Sequence, residues 1–487
     1  MPKHNEHARP AIDVCLKTPA LASTLSLMTQ LQTRPPSAGK TLEVAREAST
    51  AVVGGGMLGM YLALRLAQQG KKVVLYEAAP ELGGLTAAWN LGEITWDKFY
   101  HVILLSDFKV RDLLEELGLT DEIRWSPTKT GFFTDGRLHS MSGALEFLLF
   151  RPLNLYQKFR LGGTIFYGSK IKNWRRMESL LVEDWLRRWS GNSTFEKIWL
   201  PLLRAKLGDA YRRVSAGFIA AYIARMYQAR KAGLKQDLFG YVSGGYARIL
   251  QRLAEVLRQK GVEIRTGCPL KQVRSQQVQG GSGVELEFAQ GTIARHEEVI
   301  LTVPAPVLGR ICPQLEEDEL RRADGVEYLG VICASLLLKR KLTEFYVTNI
   351  TDSSIPLTGI IEMTNVVDPQ ELGGQALVYL PRYLGSDDPE FELSDEELGR
   401  RFVAALRRVH PDLRDEDISR LQIARARYVM ALPTLEFSQH LPPMRTSLPG
   451  VYFISSAQIV KGTLNVNETI EIAEEGLKAL AAARQPA

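Results

Sequence analysis

The stretch from Ala51 to Glu77 constrains this chain more than any other. Ala51-Val52-Val53 is a short apolar run that leads straight into Gly54-Gly55-Gly56-Met57-Leu58-Gly59. Tyr61, Leu62, Leu64, Leu66 and Ala67 continue with helical character, and Gly70 is suited to ending that helix. Lys71–Tyr76 then reads as a second strand that closes at Glu77. Strand, glycine turn, helix and strand make one βαβ unit, and such a unit commits a chain to a parallel sheet with helices packed on it.

The glycines have distinct duties in that setting. Gly54 allows the tight turn off the strand, Gly56 lets backbone approach a pyrophosphate, and Gly59 lets helix and strand pack closely. The helix N-terminus, at Met57 and Leu58, offers free N–H groups and a positive dipole end to phosphate. Glu77 follows the first glycine by 77 − 54 = 23 residues, with Ala78 next to it, at a strand end where a carboxylate accepts from a ribose diol. An acid there disfavours a 2′-phosphate and leaves NAD and FAD as the dinucleotides. A second doublet, Gly83-Gly84, followed by Leu85-Thr86, supplies another backbone surface for a diphosphate.

Composition narrows the class. With 487 residues and 45% hydrophobic content the chain can bury a large core, and no apolar run approaches the roughly 18 residues of a spanning helix. Cys15, Cys268, Cys312 and Cys333 are scattered, so no disulfide framework and no metal site is expected, and a reducing, cytoplasmic setting fits. The net charge of +5 hides an asymmetry. From Leu148 to Lys231 there are 17 basic and five acidic residues, 17 − 5 = +12, which leaves −7 for the rest. Residues 1–49 show no periodicity and are expected to be a disordered leader without assigned function.

Glu77-Ala78-Ala79-Pro80-Glu81-Leu82-Gly83-Gly84 resembles the signature of the flavin-dependent amine oxidase superfamily, which includes protoporphyrinogen oxidases, phytoene desaturases and, more distantly, UDP-galactopyranose mutases. Three further stretches resemble that group: Ser243-Gly244-Gly245-Tyr246 opening an amphipathic helix, the strand Glu298–Leu301 running into Thr302-Val303-Pro304, and Gly450–Ile454 with the later helix Asn467–Ala483. The resemblance implies an α/β fold: a Rossmann-like FAD-binding domain, three-layered around a parallel sheet, interleaved with an α+β substrate domain. It divides the chain into cofactor-domain pieces at 50–139, 235–305 and 440–487, a helical basic piece at 140–234 and a mixed-sheet piece at 306–439. FAD is the implied cofactor. Val273 matches the position whose backbone contacts adenine, and Ala457 and Asn467 fall in the closing flavin-binding segment, where Ser455-Ser456-Ala457-Gln458 departs from the usual glycine.

In such enzymes the flavin takes a hydride, so the chain need only position a C–H bond in a small-molecule substrate. Lys339 and Lys341 read as exposed strand-end lysines, which disfavours an amine substrate. His101, after Trp96-Asp97-Lys98-Phe99-Tyr100, reads either as a proton shuttle or as a histidine packed among aromatics. Arg382 and Tyr383 end a strand of the substrate domain, and Arg382 is suited to a carboxylate or phosphate, or to a surface ion pair. Ser394 with Glu397 predicts a capping box on the helix near Ser394–Arg408. The basic block carries four of seven tryptophans and no nucleic-acid motif; peripheral contact with an anionic membrane through 147–213, or a solvated face steering an anionic substrate, explains its charge. The expected activity is oxidation of a largely apolar polycyclic or polyene substrate. A non-redox sugar-nucleotide mutase and a flavin-retaining scaffold or sensor are the alternatives.

Overall fold

The computed structural model describes residues 49–230, 237–278 and 281–483, so the expected leader, apart from Ser49, lies outside the described residues. The first strand, β1 (Thr50–Val53), helix α1 (Met57–Gln68) and strand β2 (Val73–Tyr76) form the βαβ unit. The chain then leaves the sheet for a helical stretch that includes α2 (Ala144–Leu149) and α3 (Leu155–Gly168). It returns with α4 (Gly245–Gln259), β3 (Glu263–Arg265) and β4 (Glu298–Leu301). After a second excursion it closes with β5 (Val451–Phe453) and α5 (Val466–Ala483).

These strands form one parallel sheet in the order β3-β2-β1-β4-β5, with Thr50 opposite both Val73 and Glu298. All four residues of β1 are buried, as both faces of the sheet are covered. On one face α1, α4 and α5 contribute Leu62, Leu66, Leu253, Leu257 and Ile470. On the other, Val273, Leu286 and Phe288 come from a three-stranded antiparallel sheet spanning Leu270–Val278, Gly281–Phe288 and Ile293–His296. The result is the expected three-layer α/β arrangement.

The substrate side is built on a seven-stranded sheet. Its order is Ile418–Ala431, Tyr328–Leu338, Ala376–Gly385, Gly359–Glu362, Val347–Ile350, Thr130–Thr134 and Arg137–Ser140. Every neighbouring pair is antiparallel except Val347–Ile350 with Thr130–Thr134. One face packs on the helix Asp395–Val409, the other on the helical stretch. Two expectations are corrected here. The hairpin Thr130–Ser140 belongs to this mixed sheet, so the first cofactor-domain piece ends before 130 rather than at 139. The Ser394 capping box is half formed: Ser394 Oγ accepts from the Glu397 amide at 3.2 Å, but the Glu397 carboxylate is drawn to Arg400 and Arg401.

Candidate functional site

Both glycine turns meet at the carboxyl ends of β1 and β2, and they are hydrogen-bonded into one cradle. Gly83 N–H donates to Gly55 O at 2.8 Å, and Gly56 pairs with Gly83 as an isolated parallel bridge. Thr86 Oγ1 donates to Gly83 O at 2.9 Å and locks the second turn, with Gly84 exposed and Leu85 half-buried beside it. Gly54 has φ +113°, and a Cβ there would lie 2.2 Å from Thr302 Oγ1; a Cβ on Gly59 would lie 1.8 Å from Gly54 O. Those two glycines are demanded by the protein itself. Gly56 is different, since a Cβ on it would meet nothing nearer than Gly83 O at 3.8 Å.

The first α1 hydrogen bond runs from Met60 N–H to Gly56 O, so the amides of Met57 and Leu58 precede the ladder while their side chains lie buried in the core. α5 lies beside α1, tied to it by Tyr61 OH donating to Glu474 at 2.9 Å. Glu77 accepts from the amides of Gly55 (2.5 Å) and Ala79 (2.7 Å), with exposed Ala78 between. A carboxylate has about four acceptor positions, so two remain for a ribose diol. An open Gly56, free helix-end amides and a half-used carboxylate fit the diphosphate and ribose of FAD.

The outer residues of the expected cofactor set are placed less directly. Val273 is fully buried among the core side chains, so it offers a ligand only backbone, from a strand at the edge of its sheet. Ala457 is buried and its amide donates to Ser455 Oγ at 3.4 Å, which leaves its backbone carbonyl as the polar group it can offer a cofactor. Asn467 has its side-chain oxygen accepting from the Lys109 amide at 2.9 Å, which ties the start of α5 to the chain near Lys109. The residue that caps α5 is Asn465, whose Oδ1 accepts from Glu468 N–H at 3.0 Å. An Asn-x-x-Glu spacing is the sequence signal that would have found it.

Around the expected catalytic residues the structure gathers aromatics. His101 Nδ1 lies 3.0 Å from Phe99 O; a carbonyl only accepts, so Nδ1 carries a proton, and in the neutral ring the lone pair is on Nε2. The ring packs on Tyr246 at 4.9 Å, and Asp97 Oδ2 lies 3.8 Å from Nδ1. Burial raises the Asp97 carboxyl above its ordinary range, opposed by His101 and the Tyr246 amide, which donates to it at 2.9 Å. These residues and Met363 line a cavity of about 10 Å³, room for one water. Tyr100, next in sequence, has its hydroxyl 3.3 Å from that of Tyr383, and Lys206 Nζ stands 3.1 Å over the Tyr383 ring. Tyr379 OH donates to Asp97 O at 2.5 Å. Burial pushes the Tyr100 and Tyr379 phenols well above their ordinary value, which keeps both protonated.

Arg382 is not part of this group: of its two expected readings the structure shows the ion pair, and its catalytic role is corrected. Successive side chains of Ala376–Gly385 point to opposite faces: Tyr379 and Tyr383 border the core shared with the helical stretch, Val378 and Leu380 the core shared with Asp395–Val409. Arg382 shares the parity of the latter and is held by Glu390 at 2.7 and 3.0 Å. Tyr100 and Lys206 escaped sequence reasoning, since only the tertiary fold brings a loop residue and a helix residue to Tyr383.

Comparison with known proteins bears on this site. A family model described as flavin containing amine oxidoreductase matches residues 59–466. Carotenoid phi-ring synthase of Streptomyces griseus is 25% identical over 310 residues, 59% of each chain, so the match spans about three fifths of that relative's length. 15-cis-Phytoene desaturase of Synechococcus elongatus is 21% identical over 391 residues, 74% of this chain and 80% of the desaturase. Among solved structures, one described as a putative protoporphyrinogen oxidase from Exiguobacterium sp. 255-15 superposes with TM-score 0.68 at 18% identity, covering 90% of this chain and 99% of that one. At that identity the likeness speaks for the fold.

Proposed function

Because the chain belongs to the flavin-containing amine oxidoreductase family, we propose that it oxidises a largely apolar polyene or polycyclic substrate. The coarser statement follows from membership: the protein is an FAD-dependent oxidoreductase. FAD, when bound, accepts a hydride; positioning the substrate, excluding water and taking up a proton fall to the chain. The observation that supports the substrate class is the apolar character of the half-buried residues around the expected catalytic positions. Leu85 of the cradle, Leu464 ahead of α5, and Phe99, Tyr100, Val102 and Tyr383 are half-buried hydrophobics on the margin of the largest core. The carboxylate that lies among them, Asp97, is buried and already bonded to the Tyr246 amide, so it is a poor partner for a substrate ammonium. His101 Nε2 is the group suited to accept a proton as the C–H bond breaks, while Lys206 and the protonated tyrosines hold the roof.

A sugar-nucleotide mutase would draw on the basic block to hold a diphosphate. Five of those cations are already committed: Arg187 to Glu183 and Glu196, Arg204 to Asp209, Arg213 to Glu327, Arg225 to Asp107, and Lys158 to Leu148 O. The test is anaerobic mixing of the purified flavoprotein with a dispersed polyene such as phytoene, a reduced tetrapyrrole and a primary amine in turn. Bleaching of the flavin band near roughly 450 nm by the polyene or the tetrapyrrole, and not by the amine, is expected. Reduction by the amine alone, or by none of the three, would overturn the reading.

A further inference from the structure

Helix α3 is inside out. At 100° per residue, Leu155, Tyr156, Phe159, Phe166 and Tyr167 fall within one arc of about 120°, and Gln157, Leu161, Thr164 and Gly168 fall opposite. A helix on a water-facing protein surface buries the first set; this one buries the second. Gln157 is 7% exposed and Thr164 1%, against 75% for Leu155 and 79% for Phe159. The burial is specific, for Gln157 donates to Ser193 Oγ at 2.6 Å and Ser190 Oγ donates to Thr164 at 3.0 Å. Polar partners beneath the helix therefore fix which face turns in. The preceding α2 adds Leu145, Leu148 and Leu149 to the exposed apolar surface.

The charge around this surface has one sign. Residues 147–177 contain no Asp or Glu, and among their basic residues Arg151, Lys170, Lys172, Arg175 and Arg176 are exposed. None of these five forms an ion pair among the described residues. Arg151 sits in the turn between α2 and α3, and Lys170 Nζ stands 5.7 Å over the Phe166 ring, so cations flank the apolar face at both ends. A second copy of the chain is a poor occupant, since a two-fold interface would set these cations against themselves. An apolar strip rimmed by cations matches a bilayer with anionic headgroups, whose acyl boundary takes the leucines and phenylalanines and whose phosphates take the lysines and arginines.

We propose that the α2–α3 pair lies in the surface of an anionic membrane, with Leu155, Phe159 and Phe166 in the acyl boundary. No helix among the described residues is long and apolar enough to cross a membrane, so the contact is interfacial. The rest of 147–213 is not needed for it.

The test uses the FAD-loaded full chain and vesicles of phosphatidylcholine with and without phosphatidylglycerol as the anionic lipid. The wild type is expected to float with the anionic vesicles at low salt and to be released as salt rises. The double variant Leu155→Asp/Phe159→Asp should lose partitioning by at least about tenfold, and Lys170→Gln by about fivefold. Unchanged flavin content and melting temperature show that these exposed positions leave the fold intact. A wild type that stays soluble, or variants that float like it, would overturn the proposal. So would a wild-type dimer, by sedimentation without lipid, that Phe159→Asp dissociates. Flotation reads no turnover, so its failure is separate from failure of the substrate reading.

Discussion

Gly56 is kept open by something other than protein, and replacing it with valine exposes what that is. Its φ of −75° suits any residue, and the nearest heavy atom to an added Cβ lies at 3.8 Å. In the apoprotein the valine therefore meets free space, and the cost is the loss of a glycine N-cap, up to about 1 kcal/mol. The added methyl groups would crowd the start of α1, where the proposed diphosphate would approach the Met57 and Leu58 amides. FAD present at about 100 times its Kd contributes about 2.7 kcal/mol to stability, and this term should vanish. Gly56→Val should then melt within a few degrees of wild-type apoprotein, show no flavin band and gain nothing from added FAD. Gly59→Ala is the control, because its Cβ would fall 1.8 Å from Gly54 O, inside any contact distance, and should cost about 3 kcal/mol or more whether FAD is present or not. Flavin-to-protein absorbance and melting curves with and without added FAD read both. Stoichiometric FAD in Gly56→Val would mean that the diphosphate lies elsewhere, and collapse of both variants alike would refute the distinction between the two glycines.

Other substitutions separate the remaining roles. Arg382→Ala removes a half-exposed ion pair to Glu390 on the far face of the sheet, so stability should fall by about 1 kcal/mol or less and flavin reduction should not change; a slowed reduction returns Arg382 to the site. His101→Asn keeps a donor near Phe99 O but removes the Nε2 lone pair, and should slow substrate-driven flavin reduction about 100-fold at unaltered flavin content, which stopped-flow absorbance checks. Burial pushes Glu362 from 4.5 up to about 7 in the folded chain. The unfolded chain then loses this proton first, so stability falls as pH rises from about 4.5 to 7, by up to about 3 kcal/mol. Glu362→Gln should flatten that slope in melting curves at pH 5 and 8; parallel slopes would refute it.

Where the sequence was readable, the constraint was local. The βαβ unit needs only alternation of period, three glycines and an acid at a strand end, all within Ala51–Glu77. Met57 and Leu58 could be placed because a helix start always frees its first amides. Ala457 and Asn467 each carry one hydrogen bond, from Ala457 N–H to Ser455 Oγ and from Lys109 N–H to Asn467 Oδ1, and no local pattern announces the second. Arg382 and Tyr383 show a harder limit. Strand parity separates them, and that much is legible, yet which parity faces the helical stretch depends on Tyr383 meeting Tyr100 across 283 residues of chain. Lys206 reaches the same ring from a helix of the other excursion, with no motif to announce it.

The basic block shows why a count of charges underdetermines a surface. Its sum of +12 treats Lys158 and Lys170 alike, yet Lys158 is buried with its ammonium on Leu148 O, and Lys170 stands exposed over Phe166. The periodicity of α3 has the same ambiguity. A two-faced helix is evident from Leu155, Phe159 and Phe166 against Gln157 and Thr164, and hydrophobicity alone would turn the first face inward. What reverses it is supplied from 26 and 36 residues away, where Ser190 and Ser193 offer hydroxyls that only the polar face can use. Buried polar groups without such partners would cost more than exposed leucines do, so the packing beneath α3 is affordable in this one orientation. The apolar face is thus held outward by its neighbours, and an exposed apolar patch of this kind is the feature the proposed membrane contact would use.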